Sequence, residues 1–432
     1  MHMLFQRLHF RSLPTAVSLW LVYGLFLTAG IAQAAIVPLL PRMSAHFGLS
    51  ASQTALLLAL PGLATLAVSV PSGIAADRIG ARRVTLAAGA LLCLSCVAQA
   101  MPSLAGVLAG RIVFGVAFGV VWTSGMAWLS DLDEARGGSG VGAAVTCSSV
   151  GIMLGPAIGG ALAESVGLGA PFAAVAAATA LVVMPLALGT SAARRATPPP
   201  PVEPADLPLE IAYFQPPVSD DPAPVTPRVL LALIRRPPVA AAAGALVVSG
   251  AVSSACQLLI SGGLHQLGMS TGRIGLAFSA SAICYIAVSA VIVRMRDRAR
   301  TLKFNALTTG ALALALLPAL ADRGAVTLVV ALMLTAGPRA IISTIAYSLA
   351  AGQRSGEGSD GLVFGMLNGA WAAATVLMPL VAGAVQQAAG DELAYLAVIL
   401  PSLAVAGCLV AAAAERLPLL GSIGLGGWRG LR

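Results

Sequence analysis

Gly151-Ile-Met-Leu-Gly155-Pro156-Ala-Ile-Gly159-Gly160 lies inside a long apolar run, with a glycine at every fourth position and a proline beside one of them. Glycines at i, i+4 and i+8 line one face of a helix. They let another backbone approach closely, which is how helices pack in a membrane, where small residues replace a hydrophobic driving force. The proline removes a backbone donor and invites a kink. A soluble core helix rarely accepts this combination, so the stretch predicts a membrane and a partner helix.

Composition supplies the membrane. The 432 residues are 58% hydrophobic and 10% charged, with a mean hydropathy of +0.90, far from soluble-domain norms. A helix crossing the hydrocarbon needs about 20 mainly apolar residues, so the chain has room for roughly a dozen crossings. The net charge of +8 is spread between apolar runs, which marks topology and not a nucleic-acid partner. Every basic residue but Lys303 is arginine, and with the abundant alanine this suggests a GC-rich bacterial genome. All six cysteines fall in apolar runs; Cys93 and Cys96 make a C-x-x-C, but mid-helix and without a second pair, so they read as small core residues and no metal is expected.

Arg7 and Arg11 precede an apolar run from about Ala16 to Leu40. Ala32-Gln33-Ala34 resembles a signal-peptidase site, but the run continues past it, and the stretch reads as a first transmembrane helix. Further spans fall near 51–72, 84–100, 104–129, 138–161, 170–190, 238–260, 274–293, 304–320, 325–350, 361–383 and 392–413, twelve in all. Between the sixth and seventh, 191–237 is rich in proline and has no apolar period; it reads as a disordered cytoplasmic linker. The expected domains are therefore an N-terminal six-helix bundle (1–190), this linker, a C-terminal six-helix bundle (238–413) and a cytoplasmic tail (414–432).

Of the 25 lysines and arginines, 20 fall on the side of the termini and linker, and only Arg42, Arg273 and Arg323 fall in the opposite loops. The positive-inside rule then puts both termini in the cytoplasm, as for a multi-pass protein of a bacterial inner membrane. The halves also repeat: Phe47-Gly48-Leu49-Ser50 matches Leu267-Gly268-Met269-Ser270, and Asp77-Arg78 matches Asp297-Arg298, both 220 positions apart. Such repeats are typical of secondary transporters, with the substrate site near the midplane. The fold class is an all-α membrane protein with 12 transmembrane helices in two pseudo-symmetric six-helix halves.

Three motifs resemble those of the major facilitator superfamily, and the similarity covers the chain except the linker and tails. Gly73-Ile-Ala-Ala-Asp77-Arg78-Ile-Gly80-Ala81-Arg82-Arg83 is similar to the family's G-x-x-x-D-R-x-G-R-R loop. Arg111-Ile-Val-Phe-Gly115 is similar to its fourth-helix R-x-x-x-G motif. Gly151 to Gly160, with Gly155, Pro156 and Gly159, is similar to the fifth-helix motif of the drug and metabolite efflux (antiporter) branch. The resemblance implies that Gly73, Asp77, Arg78, Gly80, Arg82, Arg83 and Asp131 serve conformational gating. It implies that Asp77 latches one state against the start of the eleventh helix near Asp360, a contact a helix N-terminus favours. The family's relay also uses an arginine four residues after the aspartate, where this chain has Ala81. The glycine motif is implied to pack against the eighth helix, where Ser281, Tyr285 and Ser289 share a face, and to act as a hinge and seal.

Polar residues inside the spans are the substrate-binding candidates: Gln33, Arg111, Trp122, Gln257, Arg339, Asn368 and Trp371. An intramembrane arginine is costly and marks function by default. No Asp or Glu lies mid-span, so the usual titrating carboxylate of proton-coupled carriers is missing. His46 and His265 flank the outer loops. Gly138-Ser139-Gly140-Val141-Gly142 looks like a nucleotide-binding turn but follows no strand. No catalytic constellation or cofactor motif is present, and the chain reads as no enzyme. It is expected to move a small organic solute by alternating access, as efflux, with a coupling proton or other ion, and to work in the bilayer as a monomer. The alternatives are a carrier of an organic or inorganic anion bound by Arg111 and Arg339, and a non-transporting membrane sensor or scaffold on the same fold.

Overall fold

The computed structural model describes residues 15–133, 140–188, 235–299, 301–321, 324–351 and 360–414. The stretch expected as a linker, up to residue 234, and the tail from residue 415 lie outside them. Within them all regular structure is helical, because without water in the hydrocarbon a single helix is the segment that pairs its own backbone groups.

The first span is broken. Helix α1 (Thr15–Ala35) leads through a 3-10 turn at Val37–Leu39 into α2 (Leu40–Phe47). Then follow α3 (Ala51–Ile79), α4 (Ala81–Ala100), α5 (Leu104–Asp133), α6 (Gly140–Ser165) and α7 (Ala170–Leu188). The seventh span is broken likewise: α8 (Pro237–Ala255) passes through a π turn at Cys256–Ile260 into α9 (Ser261–Gln266). After it come α10 (Thr271–Ala299), α11 (Leu302–Leu314) with the short α12 (Pro318–Ala321), α13 (Ala325–Ala351), α14 (Asp360–Ala389) and α15 (Asp391–Ala414). Among the described residues, twelve spans are long and apolar enough to cross a membrane. Several helices overrun the apolar stretch that announced them: α3 and α10 each hold 29 residues. Their ends carry on through polar residues such as Asp77 and Arg78, where a helix needs no apolar cover.

Two compact units emerge. One takes the described residues of Met1–Leu39, Leu63–Gln215 and Thr271–Leu276; the other takes those of Leu40–Gly62, Pro216–Ser270 and Ala277–Arg432. In the first, α1 packs most closely on α6, and α4 packs on α5 and α7. In the second, α8 packs on α14, and α11 packs on α15 and α13. These are the same span pairings in each repeat.

The repeat is also written in the backbone. Gly48 and Gly268, 220 positions apart, have φ of 64° and 78°. Each closes its span in the same way: Leu49 N–H donates to Ser44 O at 2.9 Å, and Met269 N–H donates to Leu264 O at 3.0 Å. This is the left-handed glycine cap that satisfies orphan carbonyls at a helix end.

The glycine motif finds its partner in α1. A Cβ on Gly151 would strike Leu27 O, one on Gly155 would lie 2.8 Å from Ile31 O, and one on Gly159 would strike Ala35 O. From the other side, a Cβ on Gly30 would strike Ser148 O. The second unit repeats the arrangement, with Gly250 of α8 placing a Cβ 2.8 Å from Trp371 O of α14. The motif does meet the eighth helix, but at its first turns and not at Ser281, Tyr285 and Ser289, while three of its glycines face α1. Gly160 faces the first residues of α10, with Thr271 O 2.5 Å from its Cβ position, and Pro156 O abuts Gly275. The reason is the four-residue spacing, which lines one face only; Gly160, one residue on, points elsewhere. Ser281 instead donates to Leu332 O of α13 at 3.2 Å.

Gly159→Leu is expected to destabilise the protein by about 1–3 kcal/mol, the usual cost of overpacking, because Ala35 Cα stands 2.9 Å from the new Cβ. Gly142→Ala, in the same helix with nothing within 4 Å, is expected to leave stability unchanged or slightly raised. Thermal unfolding of the purified full-length variants separates the two.

Candidate functional site

Helix α5 is fixed by hydroxyls from its neighbours. Thr65 of α3 donates to Gly115 O at 2.8 Å, Ser72 and Thr123 share a 2.6 Å hydrogen bond, and Thr85 of α4 donates to Ser124 at 2.9 Å. Such bonds contribute modestly each, on the order of 0.6 kcal/mol, but three along one helix set its rotation. That rotation turns Arg111, Phe114, Phe118 and Trp122 to one face.

Arg111 is 1% exposed, and its guanidinium carbon lies 5.3 Å from the Phe114 ring centroid. Arg111, a substrate-binding candidate, is thus a fully enclosed side chain among the helices of its own unit. One and two turns on, the rings form a ladder. Phe118 and Trp122 have centroids 6.1 Å apart, and Phe26 of α1 meets Trp122 edge-on at 5.4 Å. Edge-to-face geometry is the favourable arrangement for aromatic pairs. Trp122 is half-buried, yet its Nε1 is shielded from solvent and finds no hydrogen-bond acceptor among the described residues. An indole N–H buried without an acceptor forfeits on the order of 1–3 kcal/mol. Gln33, also on α1, is half-buried.

In the second unit, Arg339 of α13 is half-buried and stacks on Tyr285 of α10, 5.7 Å from the ring centroid. Among the described residues no hydrogen bond or ion pair engages it. The stack supplies about 0.5–2 kcal/mol depending on desolvation, short of what a charge loses on leaving water. Cys256 heads the nearby π turn, its thiol hydrogen-bonded with Thr335. The turn is held by Ser261, whose hydroxyl lies against Gln257 O and donates to Leu258 O at 3.3 Å. Such wide turns are frequent at functional sites. It carries Gln257, half-buried. Asn368 and Trp371 sit on α14 and are exposed, Trp371 at 42%. A recess of about 220 Å³ lined by Leu259, Gly263, Leu328 and Tyr395 contains none of the expected residues.

The gating candidates gather where α3 meets α4. Gly80 has a φ of 96° and stands as N-cap of α4, a conformation that demands glycine. Gly73 has open space around it, and Asp77, Arg78 and Arg83 are exposed. Arg82 is different: it donates to Leu186 O of α7 at 2.8 Å and stands 6.0 Å from the Trp128 ring, tying three helices of one unit together. The side chains of Asp131 and Asp360 lie outside the described ones. Sequence reading passed over Phe26, whose pairing with Trp122 needs the α1–α5 contact. It also passed over the π turn, which has no sequence signal beyond Ser261 four residues after Gln257.

The relatives agree with this architecture. The family model described as Major Facilitator Superfamily matches residues 22–264, more than half of the chain. The MFS-type transporter ppzB of Metarhizium rileyi is 30% identical over 173 residues, 38% of this chain and 36% of that protein. An uncharacterized MFS-type transporter of Yersinia pestis is 33% identical over 97 residues, 22% of this chain and 25% of that protein. The chain thus matches only about a third or less of the length of these curated relatives. Among solved structures, the nucleoside transporter NupG aligns with a TM-score of 0.69 at 15% identity, over 91% of this chain and 99% of that one. A bacterial homologue of the human lysosomal transporter Spinster, inward-facing and unoccupied, aligns with a TM-score of 0.66 at 16% identity, over 93% and 96%. These structural likenesses concern the fold. With the family model matched across its first seven spans and the fold shared over nearly its whole length, the chain belongs to the Major Facilitator Superfamily.

Proposed function

We propose that this protein is a secondary active transporter that moves a small organic solute across the membrane by alternating access, in the direction of efflux. The observation that carries the solute class is the ladder of Phe26, Phe118 and Trp122 with its unused indole donor. Aromatic faces suit an apolar body, and a buried N–H suits one acceptor on it; ligand sites combine a mainly apolar lining with few polar groups in this way. Efflux rests on the fifth-helix motif from Gly151 to Gly160. The arginine count supports cytoplasmic termini in a bacterial inner membrane. The repeats 1–190 and 238–413 are the bodies that would alternate.

A second reading, transport of an organic or inorganic anion, is favoured by Arg339. A half-buried cation stacked on a ring, without a carboxylate bound to it among the described residues, is best compensated by a ligand. The planar guanidinium offers paired donors to a carboxylate or phosphate. Arg111, enclosed as it is, supports this reading less.

A thermal-shift screen of the purified full-length protein against cationic, neutral and anionic solutes tests both readings. A ligand at about 100 times its Kd raises stability by roughly 2.7 kcal/mol. Stabilisation by amphipathic aromatics, weakened in Trp122→Phe, which keeps an aromatic face and removes the donor, supports the first. If no solute stabilises the protein and none moves in proteoliposomes under any gradient, the transporter reading fails.

For the anion reading, Arg339→Gln is expected to weaken anion binding by roughly tenfold or more, the scale of a charged hydrogen bond. Tyr285→Leu is expected to weaken it by about two- to fivefold through the lost stacking, and Tyr285→Phe hardly at all. Titrations of the same anion on all three variants check the order.

A further inference from the structure

The first turns of α3 and α10 occupy equivalent places in the two repeats, and each is clasped by a side chain from the end of a distant helix. Glu164, in the last turn of α6, accepts from Gly272 N–H through Oε2 at 2.7 Å. Gln387, in the last turn of α14, accepts from Ser52 N–H through Oε1 at 3.4 Å. Ser52 and Gly272 are 220 positions apart, and Glu164 and Gln387 are 223 apart, so the two clasps are the same element in each repeat. Their surroundings match too. Gly160 and Gly383 bring the helices together just below, with a Cβ 2.5 Å from Thr271 O in one case and 2.9 Å from Ala51 O in the other. Pro156 and Pro379 interrupt both helices at corresponding points. Each clasp ties a helix of one sequence repeat to a helix of the other, on the side of the membrane that is poor in arginine.

The two are not equal. A carboxylate accepts a stronger and shorter bond than a neutral amide, and the positive end of a helix favours its charge. The distances follow that order. Gln386, the neighbour of Gln387, is already occupied by Asp391 at 2.9 Å and does not reinforce the weaker clasp.

We propose that Glu164–Gly272 and Gln387–Ser52 are an unequal pair of clasps on the sparsely basic face, and that the Gln387 seam yields first when that face opens. The sequence has placed a charged partner in one repeat and its neutral isostere in the other, which makes opening a two-step event. The inference does not depend on what is transported.

Hydrogen exchange reads the clasps directly. Residues in the first turn of a helix have no intrahelical acceptor for their N–H groups, so protection of the Gly272 and Ser52 amides comes from these side chains. In the full-length protein in lipid nanodiscs, the Gly272 amide is expected to exchange more slowly than that of Ser52. Glu164→Gln should speed exchange at Gly272 by roughly two- to fivefold and leave Ser52 unchanged. Gln387→Glu should slow exchange at Ser52 by a similar factor. Both changes are near-isosteric, and unchanged thermal midpoints confirm intact folding. Equal rates at the two amides in the unmodified protein overturn the inequality. So does a Glu164→Gln response at both sites alike, which means that the seams open together. No response to either substitution shows that the clasps hold nothing.

Discussion

A helix in hydrocarbon gains little by hiding apolar side chains from lipid, because lipid is as apolar as they are. What remains is contact area at short range, and the contact of α1 with α6 is its clearest case here. Gly30 from one helix and Gly151, Gly155 and Gly159 from the other let the two backbones come within van der Waals reach. Dispersion falls off steeply with even a small gap, so backbones at this distance gain what a methyl group would forfeit. The aromatic ladder depends on this seam. Phe26 sits on α1 one turn before Gly30, and it reaches Trp122 only because α1 is held where α6 holds it.

Polar groups then set rotation where the glycines set distance. The hydroxyls of Thr65, Ser72 and Thr85 fix α5 about its axis. The same economy governs the arginines. Arg82 directs its charge to the carbonyl end of α7, where a cation is favoured, whereas Arg339 lies over the Tyr285 ring. Two residues of one type thus read very differently: one closes a tie between helices, the other rests on an aromatic face.

Much of the fold could be read without coordinates, because each span is a run of apolar residues and each loop breaks it. The repeat was legible at Gly48 and Gly268, since a left-handed cap tolerates little else. The Gly151–Gly160 face was legible as close approach and the eighth helix as one partner, met through Gly160 and Pro156; the α1 partner was not, because four-residue spacing states which face is small and not what it meets. The depth of Arg111 escaped for a related reason: burial of one helix face depends on how its neighbours are rotated about their own axes. The π turn at Cys256–Ile260 escaped because widening a helix by one residue per turn needs no special residue, only a tertiary setting that prefers it.

That turn has a counterpart, the 3-10 turn at Val37–Leu39, at the equivalent place in the first repeat. A 3-10 turn winds tighter than an α-helix and a π turn winds looser. The first span is therefore wound tighter at the position where the seventh is wound looser. Two repeats that keep one register in sequence, 220 positions apart at their glycine caps, have thus diverged in backbone winding at one matching point without losing that register on either side.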